Sequence, residues 1–222
     1  MLGIIFTGGQ APQKQIIKRI IENEKDALFI AADSGLITAL NAEIKPDWII
    51  GDMDSLGDTS VLSSFPSECV IRHEMNKDYS DTELAFSLAK EKSCDDVWII
   101  GGGGGRIDHL FSIRSLFERD IFPRRWITDT ADIQCIDAEE KEQGTEKREG
   151  KKFFCCLNKG DVVSVFPLGG GPWHAVSEGL KWPLDELNWD RGFYGLSNVA
   201  VEGEFSITAL LGRFMVILPF NK

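Results

Sequence analysis

Positive charge is scarce in this 222-residue chain, where 24 Lys and Arg stand against 35 Asp and Glu, a net charge of −11. With no basic patch to release counterions, nucleic acid is excluded as an expected partner. Long apolar runs are missing too. The longest are strand-sized, so no segment is expected to span a bilayer. No basic stretch precedes Leu2-Gly3-Ile4-Ile5-Phe6, which reads as a first strand rather than a signal peptide. The five cysteines are odd in number and lack metal-ligand spacing, so they predict reduced thiols and a cytoplasmic protein. Two familiar phosphate-binding signatures are also absent. Gly101 and Gly103 would need a glycine where Arg106 stands, and no Gly-Lys-Ser/Thr loop occurs.

What is present is an ordinary balance of 43% apolar and 27% charged residues, enough for a proper core. Up to about Thr130, short β-like runs alternate with helical patterns. The runs are Leu2 to Phe6, Ala27 to Ala32, Trp48 to Gly51, Cys69 to Arg72, Val97 to Gly101 and Arg125 to Thr128. Helical spacing fills Gln13 to Glu22, Leu36 to Asn41, Ser80 to Lys92 and Asp108 to Glu118. This alternation predicts an α/β domain over residues 1–130, a mainly parallel sheet with helices on both faces. Beyond it, residues 131–222 lose helical periodicity, and short strands such as Asp161 to Pro167 and Arg213 to Pro219 predict an all-β sandwich. The charged stretch from Ala138 to Lys152 reads as a solvated loop or long hairpin.

Ligands of parallel sheets sit at the carboxyl ends of strands, and the unusual turns of this chain cluster there. Asp52 and Asp54 close a hydrophobic run two residues apart, so on extended backbone both point the same way, and a cation is the usual reason to tolerate that repulsion. The plain alternative is a polar turn. Ser80 and Glu83 fit a capping box at a helix start, whereas Asp78 and Asp81, three apart, are not needed for it and could face the same cation. Five glycines, Gly101 to Gly105, lead into Arg106-Ile107-Asp108-His109. They suit close approach of backbone to phosphate oxygens, with Arg106 as a fork-shaped donor. In the second domain, Trp182 could stack on a flat cationic ring, and Asn198 could give to and accept from an aminopyrimidine edge; packing and turn roles are the alternatives.

In this order the segments resemble thiamine pyrophosphokinases. The pieces are Ala32-Asp33-Ser34-Gly35, Pro46-Asp47 with Gly51-Asp52-Met53-Asp54-Ser55, Lys77-Asp78 with Ser80-Asp81, Gly104-Gly105-Arg106-Ile107-Asp108-His109, Gly179-Leu180-Lys181-Trp182-Pro183-Leu184 and Ser197-Asn198. The resemblance runs from about Thr7 to the C-terminus. It departs from the family pattern at Met53, Ser80, Ser34, Ile37 and Ile113. It implies a homodimer of an α/β catalytic domain followed by a β-sandwich, with the thiamine site shared between subunits. The implied reaction makes thiamine diphosphate and AMP from thiamine and ATP with Mg²⁺. By the same resemblance Asp52, Asp54, Asp78 and Asp81 would hold Mg²⁺ and the triphosphate. Asp33, Gly104, Gly105 and Arg106 would bind nucleotide, Asp81, Arg106 and Asp108 would line the reaction centre, and Trp182, Ser197 and Asn198 would hold thiamine. Either Asp81 or Asp108 would accept or orient the hydroxyl proton. A pyrophosphokinase for another alcohol, such as a hydroxymethylpterin, and a non-catalytic thiamine or nucleotide sensor are the alternatives.

Overall fold

A computed structural model describes residues 1–74, 78–138 and 152–220. Lys77 and most of the charged stretch expected as a loop, residues 139–151, lie outside them. The chain divides into two compact units, Met1–Thr130 and Ala131–Lys222.

The first unit is built on six parallel strands. Along the chain come β1 (Leu2–Phe6), α1 (Lys14–Ile21), β2 (Leu28–Ala32), α2 (Gly35–Asn41), β3 (Trp48–Gly51), β4 (Val70–Arg72), α3 (Asp81–Glu91), β5 (Asp96–Ile100), α4 (Ile107–Leu116) and β6 (Arg125–Ile127). In space the order is β6-β5-β1-β2-β3-β4, every pairing parallel. The central strands are near-continuous apolar runs because both faces are covered, and Ile4, Ile5, Phe6, Ile30, Ile49 and Ile99 are wholly buried. Each such side chain contributes about 1.5–3 kcal/mol when withdrawn from water. Helix α3 buries Thr82, Ala85, Phe86, Leu88 and Ala89, a stripe at helical spacing, and packs on β1, β2 and β3. Its start is the capping box read from the sequence. The Ser80 hydroxyl accepts from the Glu83 amide, and Glu83 Oε2 accepts from the Ser80 amide at 2.9 Å. Between β3 and β4 the chain runs through three short 3₁₀ turns, covered by Leu56, Leu62 and Phe65.

The second unit is antiparallel throughout. Its strands are β7 (Ala131–Asp137), β8 (Lys152–Cys156), β9 (Val162–Leu168), β10 (His174–Glu178), β11 (Gly195–Val199), β12 (Glu204–Leu211) and β13 (Arg213–Pro219). One sheet runs β11-β9-β13-β7 and the other β10-β12-β8. Between them lie Val163, Val165, Phe205, Ile207, Phe214 and Val216, with the Trp189 and Phe214 rings edge to face at 5.0 Å. This is the sandwich expected from the sequence. Three of its strands escaped the sequence reading. β11 is Gly-Leu-Ser-Asn-Val, a composition that reads as a turn. β10 and β7 are interrupted by His, Ser, Glu, Asp and Gln at solvent-facing or half-buried places.

Candidate active site

The spatial order of the first sheet places the chain reversal between β1 and β5. β2, β3 and β4 are added on one side, β5 and β6 on the other. Loops leaving neighbouring strands part at such a point and open a crevice. Here the crevice has a volume of about 830 Å³. It is lined by the turn after β1 (Thr7 to Gly9), by Asp33 after β2, by Asp52, Asp54 and Ser55 after β3, by Asp78 to Thr82 at the start of α3, and by Gly102 to Arg106 with Asp108 and His109 after β5. Of the candidates read from the sequence, all those in the first unit meet on this one surface.

Within the crevice the carboxylates sort themselves. Asp33, Asp52 and Asp81 each offer an oxygen, and the three oxygens lie within 4.8 Å of one another. Asp33 comes straight off a buried strand, is only 8% exposed, and adopts a left-handed φ of 47°. Its Oδ1 is buried and has no hydrogen-bond partner among the described residues. Burial pushes its carboxyl above the ordinary value, the Ser34 backbone amide opposes that, and the charges of Asp81 and Asp52 push it further up. An orphaned carboxylate oxygen facing two other carboxylates is a costly arrangement that a cation relieves. Mg²⁺ binds oxygen at about 2.0–2.1 Å in an octahedron, which sets its ligands about 3–4 Å apart, close to the spread seen here. The donor set therefore fits Mg²⁺.

Asp54 and Asp78 line the same crevice outside that trio. Asp54 Oδ1 accepts from the Ser55 hydroxyl at 2.8 Å, while the Asp54 amide donates to Asp52 Oδ1 at 3.3 Å. Gly51 explains why the trio can close up at all. Its φ is +148°, and a Cβ there would lie 2.9 Å from Asp81 Oδ1 and 3.1 Å from Asp33 Cβ. The start of α3, which carries Asp81, is tied to the end of β1 by the buried hydroxyls of Thr7 and Thr82, 2.6 Å apart. Glu83 is in addition paired with Arg119. Nothing in the sequence signalled these last two links, since they join residues 75 and 36 positions apart.

The glycine loop has a pinned half and an open half. Gly102 donates to Gly8 O at 2.8 Å, Gly103 and Gln10 exchange two bonds, and Trp126 Nε1 donates to Gly101 O at 2.8 Å. Gly104 and Gly105 follow with φ of 62° and 64°, and around Gly105 there is open space. Arg106 comes next, its guanidinium forked onto Asp108 through Nε at 3.1 Å and Nη2 at 2.5 Å. The Arg106 bond holds Asp108 below its usual carboxylate range, and Asp108 in turn raises Arg106. Both side chains are largely exposed, so solvent screens much of this attraction.

Trp182, Ser197 and Asn198 lie in the second unit. Trp182 is 51% exposed as a residue, with Lys181 Nζ 4.5 Å from its ring centroid. Asn198 is 2% exposed, and its side chain bonds the Trp182 backbone. Ser197 takes a left-handed φ of 54° and donates its amide to Ser164 Oγ at 3.0 Å.

Two family signatures match the chain. "Thiamin pyrophosphokinase, catalytic domain" covers residues 20–122, and "Thiamin pyrophosphokinase, vitamin B1 binding domain" covers residues 145–211. The thiamine pyrophosphokinase of Bacillus subtilis (strain 168) is 28% identical over 180 residues, which span 76% of each protein. Among solved structures, the thiamin pyrophosphokinase of Geobacillus thermodenitrificans superposes with a TM-score of 0.72 at 20% identity, covering 100% of this chain and 99% of that one. Yeast thiamin pyrophosphokinase does so with a TM-score of 0.60 at 16% identity, covering 99% and 86%. At those identities the structural likeness speaks for the fold.

Proposed function

This chain belongs to the thiamine pyrophosphokinase family, and from that premise we propose that it transfers the β,γ-diphosphate of ATP to the hydroxyl of thiamine, giving thiamine diphosphate and AMP. One observation carries the reading. Loops from five places along the first unit meet at the rim of a single crevice, and the four that bring carboxylates, a glycine loop and an arginine lie within the segment matched by the catalytic signature.

The chemistry asks the protein for placement more than for covalent work. The thiamine hydroxyl oxygen forms a bond to the β-phosphorus as the bond from that phosphorus to the oxygen bridging it to the α-phosphorus breaks, and AMP leaves with that oxygen. Asp33, Asp52 and Asp81 would hold Mg²⁺, with Asp54 and Asp78 at the margin orienting its water ligands. When bound, Mg²⁺ neutralises charge on the phosphate oxygens. The amides of Gly104 and Gly105 and the Arg106 fork would take phosphate oxygens directly. Both oxygens of Asp108 are already engaged by the Arg106 fork. Asp81 is therefore assigned to orient the hydroxyl and receive its proton, and Asp108 to aim Arg106. In the second unit Trp182 would stack on thiamine. By family resemblance the protein works as a homodimer whose thiamine site is shared between subunits. Its five free cysteines suit a reducing cytoplasm.

Incubation with thiamine, ATP and Mg²⁺ tests the proposal, with thiamine diphosphate and AMP expected as equimolar products. ADP as the sole nucleotide product would indicate ordinary kinase chemistry instead. Turnover with a hydroxymethylpterin but not with thiamine would reassign the alcohol. A light-scattering mass of twice 24.7 kDa is expected for the dimer.

A further inference from the structure

Residues 179–182 and 198–201 run side by side as a short antiparallel ladder. Val201 donates to Gly179 O and Lys181 to Val199 O, each at 2.9 Å, around a bridge between Leu180 and Ala200. On its other edge β11 pairs with β9. Its register on β9 shifts between Gly195 and Asn198, and Ser197 takes its left-handed turn inside that shift. The bonds of the ladder stop at Lys181, and Trp182 finds no backbone partners in it. Asn198 supplies them instead: Trp182 N donates to Asn198 Oδ1 at 3.0 Å, and Asn198 Nδ2 donates to Trp182 O at 2.6 Å. Pro183, which has no N–H, follows and ends the run.

We propose that Asn198 is a positioning residue whose side-chain amide stands in for a peptide group, carrying the ladder one step past the bulge and fixing where the Trp182 indole points. Its partners leave little for a ligand. Oδ1 already accepts two bonds, from Trp182 N and from Val199 N at 2.9 Å, which uses both lone pairs. At 2% exposure Asn198 has almost no face on solvent, whereas Trp182 is exposed. Asn198 therefore acts on thiamine through Trp182. The link to thiamine rests on the function proposed above; the link to Trp182 does not.

A double-mutant cycle separates the two roles. Asn198→Ala is expected to raise the KM for thiamine roughly tenfold, a coupling within the range of contacting residues, while kcat and the KM for ATP move less than about twofold. In a Trp182→Ala background the same change should add less than about twofold. An undiminished tenfold rise in that background would mean direct contact with substrate and would overturn the proposal. The second arm needs no activity. The protein has six tryptophans, so with 5-fluorotryptophan incorporated, the ¹⁹F signal absent from Trp182→Phe identifies Trp182. That signal should shift or broaden in ligand-free Asn198→Ala. If Asn198→Ala does not fold, Asn198→Asp keeps the acceptor but loses the bond to Trp182 O, and the same shift is expected. An unchanged Trp182 signal overturns the proposal. Absence of thiamine turnover in the unmutated protein would sink the functional reading alone, and the ¹⁹F comparison would still decide what Asn198 holds.

Discussion

The two units solve the problem of placing a functional side chain in opposite ways. In the first, short polar loops leave a rigid parallel sheet, and the carboxylates gather because the ends of β2 and β3 and the start of α3 deliver them to the same rim. In the second, the exposed tryptophan sits on an irregular segment, and a buried amide substitutes for the backbone pairing that the segment lacks. Charge is organised by sheet topology, and an aromatic surface by local hydrogen bonding. The first arrangement is suited to holding a polyphosphate, the second to presenting a flat face.

That contrast is sharpest at Asp81. If the first unit carries the chemistry, Asp81→Asn should cut kcat by at least about a hundredfold with the thiamine KM little changed, as for loss of a transition-state contact. Steady-state kinetics with each substrate varied would check it, and a change confined to KM would break the division of labour. Trp182→Ala should show the reverse pattern: the thiamine KM up by roughly tenfold, matching about 1–2 kcal/mol of lost stacking, with the ATP KM steady. A fall in kcat alone would place Trp182 nearer to the reacting atoms than the comparison allows.

Asp33→Asn probes the cost of gathering the acids. Asparagine tolerates the left-handed backbone, and it removes a buried charge with an unpartnered oxygen. Metal-free protein should therefore melt a few degrees higher than the unmutated chain, while the extra stability conferred by Mg²⁺ shrinks. Calorimetry with and without Mg²⁺ reads both effects. An unchanged Mg²⁺ gain would remove Asp33 from the cation site.

The smallest effect belongs to a site distant from either function. Glu43 lies between Lys14 and Lys18, whose bonds lower its carboxyl to about 2. A folded-state value below the unfolded one means that the stabilisation is complete above the ordinary carboxylate range, near 4.5, and is lost as pH falls toward 2. Glu43→Gln should thus lower Tm slightly at pH 7, by less at pH 2, and not at all well below it. Both ion pairs are exposed to solvent and screened, and 1 M salt should erase the difference.

Much of the first unit could be read before any coordinates. Asp52 and Asp54 end a strand of Ile and Gly, five glycines end another, and Ser80 with Glu83 announces a helix start. These are local patterns, and local patterns survive in one dimension. What escaped was of a different kind. Asp33 joins Asp52 and Asp81 only because β2 and β3 are neighbours whose ends are level, and Thr7 meets Thr82 across 75 residues. β11 escaped because its Gly, Ser and Asn are there to make a bulge, so its composition denies the strand it belongs to. Asn198 looked like a hydrogen-bonding group available to a ligand, and only its neighbours reveal that its bonds are already made.

Gly51 gives the crevice a hidden fragility. In a screen for inactivating mutations, position 51 should score beside the aspartates, although it carries no functional group. Any replacement adds a carbon that must displace the Asp81 carboxylate and strains a torsion that side-chain-bearing residues avoid. Hydrogen, the smallest substituent, is here the one that the acidic trio tolerates.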